Sequence, residues 1–349
     1  VRNFPTSRNT FVVLNAYKAC ALCALILLHS LIWWLSPNDR FIPENSAWVG
    51  LFLIPYITLF GWFGLSFAFT AGFSLRLWVQ PGWDPVERKL KAGSFPDWGA
   101  IFARVGLLLG IGFLMNYKSW YIFQFLGVST LLIIIWLKRL RLDGLFILGM
   151  AVMVAAGPLR NYFAGSTPSY LKAIVVGDTT GNFFWPFFPW FSYLVFGFTL
   201  GHLRYKKNLR LFCLVTGALL VNFSYFVGGL DSAFDLHDIW GPGLFQPALD
   251  QLLGWTGLIL ISYGLFDLYF SRRIPGPYNF FQVMGRNSLV VFLLHYVFFA
   301  RLFMYFRINR PVFFLGIMIA QYLGGYVLAL SFEYLRGLSL REQQKEAYV

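Results

Sequence analysis

The sequence predicts an all-α, polytopic membrane protein with about ten transmembrane helices and both termini cytoplasmic. Three observations carry this. The 349 residues are 58% hydrophobic, with only 12% charged, too little charge to cover a soluble surface. The apolar residues are gathered into runs of about 20, the length that crosses a bilayer. The basic residues are divided unevenly between alternate loops, as the positive-inside rule requires.

The runs fall near 14–35, 50–75, 98–116, 119–137, 142–158, 183–203, 209–229, 250–270, 280–300 and 311–335. The second is long and contains Pro55, which allows an interfacial segment ahead of the span. The fifth is expected to end near residue 158. The apolar run from Phe11 to Leu35 is too long for a signal-peptide core and reads as the first span. No polar stretch is long enough for a soluble domain, so residues 1–349 are expected to form one transmembrane domain.

With the N-terminus inside, 18 of the 28 Lys and Arg residues fall in inner segments and 7 in outer ones. The remaining three, Lys18, Arg104 and Arg286, sit within spans or at their ends. The outer 230–250 loop carries Asp231, Asp235, Asp238 and Asp250 with no Lys or Arg. A net charge of +13 would point to nucleic acid in a soluble chain. Here it follows from the loop bias, and no nucleic-acid partner is expected. Cys20, Cys23 and Cys213 lie in apolar runs, where "CALC" reads as small helix-packing filler. No metal site is expected, because soft ligands do not converge in the sequence.

Ionisable residues inside a membrane are costly and mark function by default. The first span, "LNAYKACALCALILLHSLIWW", carries Lys18 and His29. Eleven residues make close to three helical turns, so both side chains share nearly one face about 16 Å apart. The ninth span repeats the pattern in "GRNSLVVFLLHY", with Arg286 inward and His295 outward. The bland alternatives are a snorkelling Lys18 and a His29 bonded to a neighbouring helix. Arg104 adds a third inner cation. No acid within these three spans answers them, since Asp97 precedes the third. An exogenous phosphate-bearing ligand would supply the missing anion. Coenzyme A thioesters fit, with phosphates at one end of a long arm and the reactive carbonyl at the other.

In this light the chain resembles the transmembrane acyltransferase superfamily, and within it the branch of heparan-alpha-glucosaminide N-acetyltransferase and its bacterial relatives. Five segments carry the resemblance in order: "NAYKACALCALILLH", "SFAFTAGFSLRL", "RVGLLLGIGFLMN" with "YIFQFLGVSTLL", "FFWPFFPWFSYLVFGFTLGH" and "MGRNSLVVFLLHY". The chain departs from the usual Asp-x-x-Arg-Gly of the first span with Asn15, Lys18 and Ala19. Phe125 stands where relatives often carry Arg.

The resemblance implies transfer of an acyl group, acetyl foremost, from a cytoplasmic acyl-CoA to a hydroxyl or amine of an envelope, lipid or glycan acceptor. Lys18, Arg104 and Arg286 would hold the donor, and His29 and His295 would do the chemistry, His29 as base or as transient acyl carrier. Asn116, Gln124, Asn287 and Ser288 would orient substrate, with interhelical hydrogen bonding as the equal alternative for each. The expected partners are the lipid bilayer, that of the cell (inner) membrane, the acyl-CoA and the acceptor. A homo-oligomer or a larger membrane complex stays open. The rival reading is a catalytically degenerate subunit, in which 40 Phe and 13 Trp pack lipid, pigment or protein. A secondary transporter is disfavoured because no inverted repeat is visible.

The topology predicts that cysteines introduced into the 230–250 loop label from outside and that one near Lys206 does not. The reverse pattern would invert the orientation and remove the argument from inner cations.

Overall fold

A computed structural model of the protein describes residues 6–34, 54–79, 83–84, 89–90, 98–115, 120–137, 139–164, 170–177, 185–203, 208–233, 247–270, 276, 278–299 and 311–346. Among them the chain forms α1 (Thr6–Trp34), α2 (Ile54–Trp78), α3 (Trp98–Met115), α4 (Ile122–Leu137), α5 (Leu142–Phe163), α6 (Tyr170–Val176), α7 (Phe187–Leu203), α8 (Leu209–Ala233), α9 (Leu249–Phe270), α10 (Phe280–Arg286), α11 (Ser288–Leu294) and α12 (Pro311–Glu346). A single π-helical turn, His295–Phe299, follows α11. The extended backbone described is limited to an antiparallel pair of two-residue strands, β1 (Trp83–Asp84) and β2 (Lys89–Leu90).

Among the described residues, α3, α5, α9, residues Leu209–Gly229 of α8 and Leu315–Gly337 of α12 are long and apolar enough to cross a membrane. Shorter apolar helical stretches cover Phe11–Leu27, Ile122–Leu137 and Ser288–Phe298. Large apolar side chains stand exposed along α8 (Leu219, Phe223, Phe226) and α12 (Leu315, Ile319, Leu323). A surface of this kind suits lipid, in which a helix satisfies its own backbone groups. The protein is an integral membrane protein.

Several boundaries differ from the hydropathy reading. α2 starts at Ile54 with Pro55 in its first turn, where the missing N–H has no helical acceptor to lose, and the expected interfacial segment ahead of it lies outside the described residues. α5 runs through Pro158 to Phe163, so the proline does not end it. α8 breaks at Gly229, whose φ of 76° lies in the left-handed region that glycine enters without penalty. The expected ninth span is broken at Asn287 into α10 and α11. α6 was not expected from the sequence.

The chain gathers into two compact units, Val1–Gly64 with Leu265–Val349, and Leu65–Gly264. In the first, α1 lies along α10 and α11, and α12 packs against α10 and α11. The approach of α1 to α10 is set by Gly285, where any Cβ would overlap the carbonyl of Asn15. Tyr17 is fully buried in the same unit, its ring 4.9 Å from Phe63 and 5.3 Å from Phe266.

The second unit uses the same device. Gly72 of α2 meets the Leu194 carbonyl, and Gly197 of α7 meets the Phe69 carbonyl. Lipid supplies no hydrophobic drive for helices to associate, so small residues that admit backbone contact provide the packing instead. Trp185 leads into α7 at φ 68°, with its carbonyl accepting from Trp120 Nε1 at 3.0 Å. Tyr193 donates its hydroxyl to the Leu252 carbonyl at 3.0 Å, tying α7 to α9.

Gly285→Val should lower the thermal midpoint in detergent by an amount equivalent to about 1–3 kcal/mol, the usual cost of overpacking. Gly316→Val, where a Cβ would meet nothing within 4 Å, should leave the midpoint unchanged. Equal effects would show that the α1–α10 contact does not depend on backbone approach.

Candidate functional site

The first unit holds the two histidines singled out by the sequence. His29 comes from α1 and His295 from the π turn after α11. Their rings stack with centroids 5.5 Å apart and planes 15° from parallel. His295 is 2% exposed. Phe292 and Tyr296 stand edge-on to His29, with centroids 6.1 and 6.2 Å away. The widened turn has a positional consequence. π turns inside α-helical segments are frequent at functional sites because they re-aim the residues around them.

The pair is held by a polar network from α12. His295 Nδ1 lies 2.6 Å from Gln321 Oε1. Gln321 Nε2 donates to Ser30 Oγ at 3.1 Å and points toward Met318 Sδ at 3.7 Å. Ser30 neighbours His29 on α1, so α1, the π turn and α12 meet at one amide. Gln321 and Ser30 are both buried. The sequence reading passed over them. Each is a lone polar residue in an apolar helix, which was the available signal.

A second polar layer lies further along the same helices. Arg286 makes a two-point ion pair with Glu333 of α12, Nε to Oε1 at 2.7 Å and Nη2 to Oε2 at 2.9 Å. Asn287 Nδ2 donates to Glu333 Oε1 at 2.8 Å and to the Val283 carbonyl at 3.0 Å. On the α1 side, Gln282 Nε2 donates to the Val12 carbonyl at 2.9 Å and Gln282 Oε1 accepts from Asn15 Nδ2 at 3.4 Å. The expectation of no internal anion for these cations is therefore corrected at Arg286. Glu333 comes from the tenth span, and an acid inside an apolar helix was visible in the sequence. Glu333 and Gln321 are 12 residues apart, so the two layers are about 18 Å apart along α12.

The remaining predicted residues divide. Lys18 is half-buried on α1, three turns from His29. Ser288 is buried at the start of α11. Arg104 belongs to the second unit, where it is exposed on α3 with its guanidinium 5.3 Å from the Trp78 ring. Gln124, also in that unit, is fully buried. Its Oε1 accepts from the Tyr121 N–H at 3.0 Å, capping α4, and its amide carbon fills the space a side chain at Gly112 would need. Those contacts are structural. Asn116 lies outside the described residues. Arg76, counted with the inner segments, is buried in the last turn of α2, where it donates to His202 Nδ1 at 3.3 Å. No group of three or more His, Cys, Asp or Glu that could hold a metal ion occurs among the described residues.

A family model described as heparan-alpha-glucosaminide N-acetyltransferase, catalytic, matches residues 11–230. The match takes in Lys18, His29, Arg104, Asn116 and Gln124 and stops short of Arg286 and His295. Neither a curated relative nor a solved structure matches the chain. With well over half of its 349 residues matched, the first-span histidine among them, the chain belongs to the heparan-alpha-glucosaminide N-acetyltransferase catalytic-domain family.

Proposed function

We propose that the protein transfers an acyl group, acetyl foremost, from a cytoplasmic acyl-CoA to a hydroxyl or amine of a glycan or lipid acceptor, using His29 and His295. The observation that carries this reading is the stacking of the two imidazoles in the first unit, 5.5 Å apart. Imidazole is the side chain best poised to take a proton near neutral pH. Two of them, brought together from distant parts of the chain, suit proton transfer.

The reaction balances on these groups. A lone pair on the acceptor's oxygen or nitrogen forms a bond to the thioester carbonyl carbon while an imidazole nitrogen takes the proton that atom carried. The tetrahedral intermediate then collapses, the C–S bond breaks with its electron pair on sulfur, and the imidazolium returns the proton so that coenzyme A leaves as a thiol. Lys18 lies about three turns, and Arg286 about two and a half, from its histidine, toward the end that the basic-residue rule places inside. Donor phosphates at that end would leave a long arm to reach the imidazoles. Arg286 would serve by exchanging Glu333 for phosphate, a partner that its planar fork also matches. Asn287 and Ser288 sit beside it and would orient the donor.

The degenerate-subunit reading draws on the Arg286–Glu333 ion pair, which satisfies this cation without any ligand. The two readings separate on the purified protein given acetyl-CoA and glucosamine as a probe acceptor. Release of coenzyme A thiol with acetylated product supports the enzyme; no turnover supports the degenerate subunit. His29→Ala and His295→Ala should each lower turnover about 10²- to 10⁴-fold with the fold retained. A folded variant with unchanged turnover removes that histidine from the chemistry.

Donor binding gives a second check. Coenzyme A affinity measured by calorimetry should weaken as salt rises. Arg286→Ala should weaken it more than Lys18→Ala. An affinity indifferent to salt and to both substitutions would separate these cations from the donor phosphates.

A further inference from the structure

A neutral histidine carries its proton on one ring nitrogen, and only the other nitrogen can accept a second. Which nitrogen is free at His295 is decided by Gln321, whose Oε1 lies 2.6 Å from His295 Nδ1. The orientation of that amide is itself decided by its other neighbours. Its nitrogen lies 3.1 Å from Ser30 Oγ and 3.7 Å from Met318 Sδ. A hydroxyl can meet either end of an amide, but a thioether sulfur only accepts. Turning the amide over would set its oxygen against the Met318 sulfur, acceptor against acceptor. The N–H groups therefore belong on the Ser30–Met318 side and the oxygen on the His295 side.

We propose that Gln321, anchored by Ser30, is a positioning residue that holds His295 as the Nδ1–H tautomer and leaves its Nε2 as the base. The proposal rests on the reading of His295 as a reacting group and deepens it. The amide touches no reacting atom. It acts through the imidazole. A free imidazole side chain in water favours the opposite tautomer, with the proton on Nε2, so the pocket selects a form that solvent would not. The same bond serves the reaction a second way. When Nε2 takes the acceptor's proton the ring becomes a cation, and the bond from Nδ1–H to Oε1 becomes charge-assisted and stronger with no movement of either group. All three contributors, Ser30, Gln321 and His295, are buried, which keeps water from competing for either ring nitrogen.

The test reads the tautomer directly. In the full-length protein, labelled with ¹⁵N-histidine and held in detergent micelles, the His295 resonances are found by comparison with His295→Gln. Neutral His295 should show a proton on Nδ1 and none on Nε2. Gln321→Glu, which still offers an acceptor to Nδ1, should keep that pattern. Gln321→Met should convert it to the Nε2–H form. With acetyl-CoA and glucosamine, Gln321→Met should lose at least about tenfold in kcat with little change in KM for acetyl-CoA, and Gln321→Glu should recover most of the loss. If Gln321→Met does not fold, Met318→Leu removes the acceptor that fixes the sense of the amide and should give a mixture of the two tautomers. An Nε2–H tautomer in the unaltered protein overturns the proposal, as does a wild-type tautomer in either Gln321→Met or Met318→Leu. An Nδ1–H tautomer in a protein that transfers no acetyl group overturns the positioning role together with the reaction it serves.

Discussion

The amide of Gln321 is the point at which three elements of the first unit are tied to one another. Its oxygen meets His295 of the π turn and its nitrogen meets Ser30 of α1, while its own backbone belongs to α12. A side-chain hydrogen bond between membrane helices averages only about 0.6 kcal/mol. The contribution of this network is therefore geometric more than energetic. A polar group in an apolar interior has few partners to choose from, so the few bonds that form define a single arrangement. The stacking of His29 on His295 follows from that arrangement, because Ser30 adjoins one ring and Gln321 holds the other.

Such a network needs helices that come close enough to share it. Gly285 lets α10 lie against the backbone of Asn15, and Gly325 lets α12 approach Val291, where a Cβ would come within 2.9 Å. Tyr322 of α12 donates to the Cys23 carbonyl of α1 at 2.9 Å, between the two polar layers. The second unit relies on the same chemistry at Gly72 and Gly197. In both units the shape of the packing is written in residues with little side chain.

The cations illustrate three ways of holding charge in an apolar chain. Arg286 takes a two-point carboxylate partner. Arg104 lies over an indole face, a geometry worth about 0.5–2 kcal/mol depending on desolvation. Arg76 is buried against an imidazole with the Phe198 ring 6.0 Å from its guanidinium carbon. A count of basic residues treats the three alike. Their surroundings give them different work, and of the three only Arg286 stands in the unit that contains the histidine pair.

The sequence by itself determined the helical class, most of the helix positions and the two histidines, because each is a property of local composition. Twenty apolar residues have one economical state in lipid, and an imidazole within them stands out by its cost. It also carried the family, through motifs that need only order and spacing. Tertiary structure decided what one-dimensional reading cannot reach. Nothing near His295 in sequence indicates that Gln321, 26 residues on, holds its Nδ1, or that Glu333, 47 residues from Arg286, meets its charge. Gln124 has the residue type of a substrate contact and the position of a helix cap. Only the fold distinguishes these, because a polar side chain in an apolar helix announces that it needs a partner but not which helix will supply it.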